Sequence, residues 1–115
     1  MVLITQGEGT IEAVELARHI ADLIVDKKGE NITLLDIRER TVIADYFVIC
    51  SGSSERQLKA IVESITTEIK KTHDIHVHHV EGSSEAGWVL IDYGNVIVHV
   101  FSPERRAFYE VSMAQ

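Results

Sequence analysis

From Ser54 to about Lys71 the apolar residues Leu58, Ile61, Val62, Ile65 and Ile69 recur at i, i+3, i+4, i+7 and i+11, the period of an amphipathic helix. Ser54 and Gln57 stand three apart ahead of this run and form a capping box, which fixes where the helix starts. Glu55 and Lys59 make an i, i+4 pair on its outer face. An aliphatic stripe of this length has to be buried against a sheet or another helix, because leaving it in water forfeits the main driving force of folding.

The flanking segments supply the sheet. ITLLDI at 32–37 and YFVIC at 46–50 read as strands too apolar to face water on both sides, separated by the polar turn Arg38–Thr41. An earlier helix is expected over 10–28, capped by Thr10, with Glu12 in its first turn, Lys27, Lys28 and Gly29 at its end, and Ala13, Leu16, Ala17, Ile20 and Ile24 as its buried stripe. After the second helix, a strand is expected at 75–80, where Ile75 and Val77 alternate with His76 and His78, followed by a Gly/Ser/Glu loop at 81–87. WVLID at 88–92 and NVIVHVF at 95–101 flank Tyr93 and Gly94 as a tight hairpin. Ser102 and Pro103 then cap and open a short helix to about Tyr109. The order predicts an α/β fold: one mixed sheet of about five strands, with the two longer helices covering it.

The length of 115 residues suits a single domain over 1–115. The net charge of −7 disfavours affinity built on phosphate contacts, so little direct nucleic-acid binding is expected and a basic protein partner fits better. Cys50 is the only cysteine, so no disulfide forms within the chain, and its apolar setting makes it a small core residue. The first residues, MVLITQGEGT, have the pattern of neither a signal peptide nor a transit peptide, and no apolar run is long enough to span a bilayer. The expectation is a cytoplasmic protein without membrane contact.

Three constellations bear on chemistry. SGSSERQ at 51–57 places a Gly/Ser turn between a strand and a capped helix, a position where backbone N–H groups can hold a phosphate. It lacks the Lys of a P-loop and the third Gly of a dinucleotide fingerprint, and capping alone explains Ser54 and Gln57. The same turn resembles the opening of nucleotidyltransferase folds, so a phosphoryl-transfer enzyme using Gly52–Ser54 is the alternative function. Such enzymes need paired carboxylates on a following strand to hold metal ions, and IHVHHV offers none. The histidines His73, His76, His78, His79 and His99 invite a zinc site, but two same-face ligands do not close one, so no metal or cofactor is expected. Finally, in GWVLIDYGN at 87–95, strand alternation puts Trp88, Leu90 and Asp92 on one face and Val89, Ile91 and Tyr93 on the other. An aromatic sharing a face with a carboxylate suits protein binding, since the ring supplies contact area and the charge supplies register.

The blocks TVIADYFVICSGSSERQLKAIVESI at 41–65, GWVLIDYGNVIVHVF at 87–101 and ERRAFYE at 104–110 resemble the ribosomal silencing factor family, also called Iojap-like or RsfS. The most telling residues are Asp45, Tyr46 and Phe47, then Gly52, Ser54, Arg56 and Gln57, then Trp88, Asp92, Tyr93, Gly94, His99 and Phe101. The resemblance implies a nucleotidyltransferase-like α/β sheet without the catalytic carboxylates, and no enzymatic activity. It also implies binding to the large ribosomal subunit through that subunit's ribosomal protein fourteen, which blocks joining of the small subunit and lowers translation. The partner-binding positions it carries over are Trp88, Asp92, Tyr93 and Gly94, with Asp45 and Tyr46 in support. Many family members continue after the Phe-Tyr pair with Leu-Glu and a Leu-Trp element, whereas this chain reads EVSMAQ. Whether the chain forms a homodimer is left open.

Overall fold

Strand alternation and the helical stripes converge on one layered arrangement in the computed structural model, which describes residues 11–114, and for 110–114 the helical backbone only. Helix α1 (Ala13–Asp26) leads into strands β1 (Glu30–Asp36) and β2 (Tyr46–Ser51). Helix α2 (Glu55–His73), strands β3 (His79–Ser83), β4 (Trp88–Asp92) and β5 (Val96–Phe101), and helix α3 (Pro103–Ala114) follow. The strands form one five-stranded sheet in the order β1-β2-β5-β4-β3. Only β2 and β5 run parallel; every other neighbouring pair is antiparallel. The expected mixed α/β sheet flanked by helices is the fold observed.

Register decides which side chains meet. Tyr46, Val48 and Cys50 pair with Val96, Val98 and Val100, and these face the same side as Val89 and Ile91 of β4. On that side lie Leu16, Ala17, Ile20 and Ile24 of α1 and Leu58, Ile61, Ile65 and Ile69 of α2, all buried in one core. Each fully buried aliphatic side chain there contributes roughly 1.5–3 kcal/mol relative to exposure. The opposite face carries Phe47, Ile97, His99, Phe101, Trp88 and Leu90. Helix α3 covers one end of it, with Tyr109 against the His99 and Phe101 rings. Buried Arg106 fastens α3 to the sheet, donating to the Asn31 carbonyl at 2.8 Å, Thr33 Oγ1 at 3.1 Å and Ser51 Oγ at 3.4 Å.

Local rules account for most element ends. Ser54 Oγ accepts from the Gln57 N–H at 3.1 Å, but the returning arm of the box goes elsewhere: Gln57 Oε1 accepts from the Ser53 N–H at 2.6 Å. Its amide group also donates to the Lys28 carbonyl at 2.9 Å, so this one side chain ties the start of α2 to the end of α1. Ser102 Oγ accepts from the Arg105 N–H at 3.3 Å, and Pro103 opens α3 as expected. Thr10, expected to cap the first helix, lies outside the described residues; α1 begins at Ala13, and Glu12 at its cap makes no side-chain bond.

The segment after α2 departs from the expectation. The helix continues two residues past Lys71 to His73 and closes with Asp74 in the left-handed region at φ 56°. Residues 75–78 belong to no ladder, although the His78 N–H donates to the Asp92 carbonyl at 2.8 Å, and the strand occupies His79–Ser83 instead of 75–80. The alternation of Ile75 and Val77 was real, since both pack on the core. It marks an apolar linker packed on the core, and ladder pairing with β4 starts only at His79. The expected loop at 81–87 shrinks accordingly to the turn Ser84–Gly87.

Candidate docking surface

Strand β4 has two unlike sides. Val89 and Ile91 are buried, while Trp88, Leu90 and Asp92 are half-exposed along its other side. Trp88 and Asp92 stand at opposite ends of this stripe, about 14 Å apart at ~3.4 Å per residue. Beyond it lies the edge strand β3, exposed throughout. On the other side of the stripe, Leu35, Phe47 and Leu90 pack around the small cluster of Ile37, Ala44 and Ile97.

The Asp92 end is built by turn chemistry. Tyr93 N–H donates to the Val96 carbonyl at 2.9 Å, and Asp92 Oδ1 accepts from the Gly94 N–H at 2.7 Å, which braces a tight three-residue connection. Gly94 adopts φ +89°, and a Cβ there would lie 2.9 Å from the His78 ring, so both conformation and space call for glycine. The Asp45 N–H donates to the Asn95 carbonyl at 2.8 Å, bringing half-buried Asp45 beside this turn.

The six sequence candidates therefore divide. Trp88, Asp92, Gly94 and Asp45 reach the surface, with Asp45, Asp92 and Gly94 together at one end of the sheet and Trp88 at the other. The Tyr46 and Tyr93 side chains are buried on the helix-covered side. Burial pushes the Tyr93 phenol up to about 12, and its hydroxyl has no hydrogen-bond partner among the described residues. These two rings can support a contact surface from beneath, not form it. Arg38 sits 5.4 Å from the Tyr46 ring centroid and is held by Asp36 through two bonds of 2.9 and 2.7 Å.

One exposed feature escaped the sequence reading. Val42 and Ile43 are fully and largely exposed on the loop leading to Asp45. Their signal was present as two β-branched residues in a turn-rich stretch that belongs to neither strand. His99, read from the sequence as one of a histidine set, is buried among Phe47, Phe101 and Tyr109; neither ring nitrogen has a partner among the described residues, and burial lowers its pKa to about 4.

The other histidines are dispersed. His73 Nε2 lies 2.8 Å from His19 Nδ1 across the α1–α2 contact, while His76 and His78 precede β3 and His79 contacts Glu81. Among the described residues, no three His, Cys, Asp or Glu side chains are placed to share a metal ion. Cys50 is buried, and burial pushes its thiol up to about 12. At the Gly52–Ser54 turn, the polar groups of Ser53, Ser54 and Gln57 are engaged with one another in the cap.

Fold and surface together define a class: a small mixed-sheet α/β protein with one face sealed by two helices and a half-open face presenting an aromatic, an aliphatic and an acidic side chain in line. A family model described as "Ribosomal silencing factor during starvation" matches residues 10–112. The chain belongs to the ribosomal silencing factor family. It is 42% identical over 86 residues to ribosomal silencing factor RsfS of Bacillus subtilis, covering 75% of this chain and 72% of that protein. With RsfS of Halalkalibacterium halodurans it shares 38% over 97 residues, 84% of this chain and 82% of that one. A mouse protein called mitochondrial assembly of ribosomal large subunit protein 1 is 30% identical over 95 residues, 80% of this chain and 41% of its own length. A crystal structure of a Chromobacterium violaceum protein superposes with a TM-score of 0.82 at 31% identity, covering 88% of this chain and 83% of the other.

Proposed function

We propose that this protein binds the large ribosomal subunit through ribosomal protein fourteen of that subunit and sterically prevents the small subunit from joining, so that translation falls. The reading takes its setting, the cytoplasm, and its target from the family; the observation that carries the site is the half-exposed Trp88–Leu90–Asp92 stripe. Leu90 and Trp88 provide apolar area and an aromatic anchor, Asp92 and Asp45 provide acceptors for basic side chains, and exposed Val42 and Ile43 widen the patch. A net charge of −7 steers the protein toward a basic surface.

The role requires no chemistry beyond binding. At Gly52–Ser54 the side-chain groups that a phosphoryl-transfer enzyme would turn to its substrate are used in capping α2, which supports a nucleotidyltransferase-like scaffold kept for docking. Titration with nucleoside triphosphate and magnesium tests the enzymatic alternative, and tight metal-dependent binding would revive it.

The docking site is tested by sucrose-gradient sedimentation with purified subunits. Wild-type protein is expected on the large subunit, with free subunits in excess over joined ribosomes. Trp88→Ala and Asp92→Lys are each expected to lower co-sedimentation at least tenfold, equivalent to about 1.4 kcal/mol, while circular dichroism stays native. Unchanged binding by both folded variants would remove the β4 stripe from the interface.

A further inference from the structure

The two parallel strands, β2 and β5, each run directly into a helix, so the N-termini of α2 and α3 emerge at the same edge of the sheet. Between them and the Ser84–Gly87 turn lies a cleft of about 550 Å³. Crevices at the carboxyl ends of parallel strands are where sheets of this kind take ligands, often anions at the helix N-termini. This cleft is arranged against an anion. Ser54 and Ser102 already cap the two helices, and Glu55 and Glu104 place carboxylates in their first turns. Glu85 adds a third carboxylate to the lining. The single basic lining residue, Arg105, donates from Nε to the Ala86 carbonyl at 3.2 Å. A phosphate entering here would meet three carboxylates and one arginine.

The cleft also has an apolar component. Leu58 beneath it belongs to the buried core, and the apolar surface the cleft presents is Phe108, which is 71% exposed. An aromatic face beside carboxylates can hold an arginine or lysine twice over, by stacking against the ring and by ion pairing, while the ring edge accepts an aliphatic neighbour.

We propose that this cleft is a second docking groove, whose occupant is an extended, arginine- or lysine-bearing segment with an apolar side chain, contributed by a basic protein. Charge complementarity selects the occupant: three acidic groups beside the exposed Phe108 ring exclude nucleic acid and acidic peptides and favour a cationic chain. The groove is separate from the Asp92 and Asp45 end of the sheet, and it does not depend on which ribosomal protein the β4 stripe meets. A protein acting on ribosomes would meet such segments as the basic tails of ribosomal proteins.

The test uses the full chain, isotope-labelled, titrated with a synthetic peptide of alternating arginine and leucine and with its glutamate-for-arginine counterpart, each followed by amide chemical shifts. Inorganic phosphate and a short single-stranded RNA are run alongside. The basic peptide is expected to shift amides of Ser53–Leu58, Ser84–Gly87 and Ser102–Phe108, with affinity falling at higher salt and the glutamate peptide silent. Phe108→Ser, and separately the combined Glu55→Gln, Glu85→Gln and Glu104→Gln, are expected to weaken binding at least tenfold. Asp92→Asn, at the far end of β4, is expected to leave it unchanged, which separates failure of this groove from failure of the β4 stripe. Shifts spread evenly over the acidic surface would overturn the proposal, as would wild-type affinity in both groove variants. So would phosphate or RNA perturbing the cleft amides in place of the basic peptide.

Discussion

The two faces of the sheet are made by the same strands and differ in what lies on them. One is closed by α1 and α2 over a continuous aliphatic core in which Ile61, Ile65, Val98 and their neighbours are inaccessible to solvent. The other has α3 at one end and a small cluster around Ile37, Ala44 and Ile97 at the other, and leaves Trp88, Leu90 and Asp92 half in water. The closed face holds the fold together; the half-open face also buries polar groups, His99 among aromatic rings and Arg106 through its hydrogen bonds to Asn31, Thr33 and Ser51. An alternating strand thus serves stability on one side and recognition on the other.

Truncation separates the faces most sharply. Ile61→Ala opens a cavity beneath α1 and α2 and is expected to cost about 2–5 kcal/mol in chemical denaturation. Leu90→Ala, half-exposed on the other face, is expected to cost about 1 kcal/mol, since much of its surface is already wet. Equal losses would mean that the two faces are one cooperative core.

Acid should act through the half-open face. His99 is neutral when folded, its pKa lowered by burial to about 4, whereas the unfolded chain takes up the proton near ~6.5. The unfolded state therefore binds more protons between these values, and stability falls as pH drops through that window, by up to ~3 kcal/mol from this residue. It is fully present above the higher value. His99→Phe should flatten that part of the stability curve relative to wild type; an unchanged slope would show that the ring is hydrated in solution.

The most local effect is expected at the α3 attachment. Arg106→Met keeps the aliphatic stem but leaves the Asn31 carbonyl and the Thr33 and Ser51 hydroxyls without this donor, a loss of about 1–3 kcal/mol. Hydrogen exchange should speed up in α3 and leave α1 and α2 as they were. Faster exchange throughout would join the helix to the main core.

Much of this was readable from local patterns. The 3.6-residue stripe of α2, the Ser54 and Ser102 caps and the alternation of β4 each follow from forces acting within a few residues, and each is seen. The assignment of Trp88, Leu90 and Asp92 to one side of β4 needed only the period of a strand. The strand after α2 lies later than the pattern predicts because Ile75 and Val77 are apolar for packing on the core, and periodicity cannot tell that from pairing in a ladder.

By itself, the sequence determined the kinds of element, their order, and the family, since periodicity, capping and motif spacing are properties of neighbouring residues. Tertiary structure alone decided which face of the sheet is sealed, that Tyr46 and Tyr93 lie inside while Asp45 and Asp92 reach water, and that the starts of α2 and α3 share an acidic cleft. The reason is physical: burial and charge density are sums over residues far apart in the chain. Only the pairing of β2 with β5, and the helices laid across them, brings those residues together.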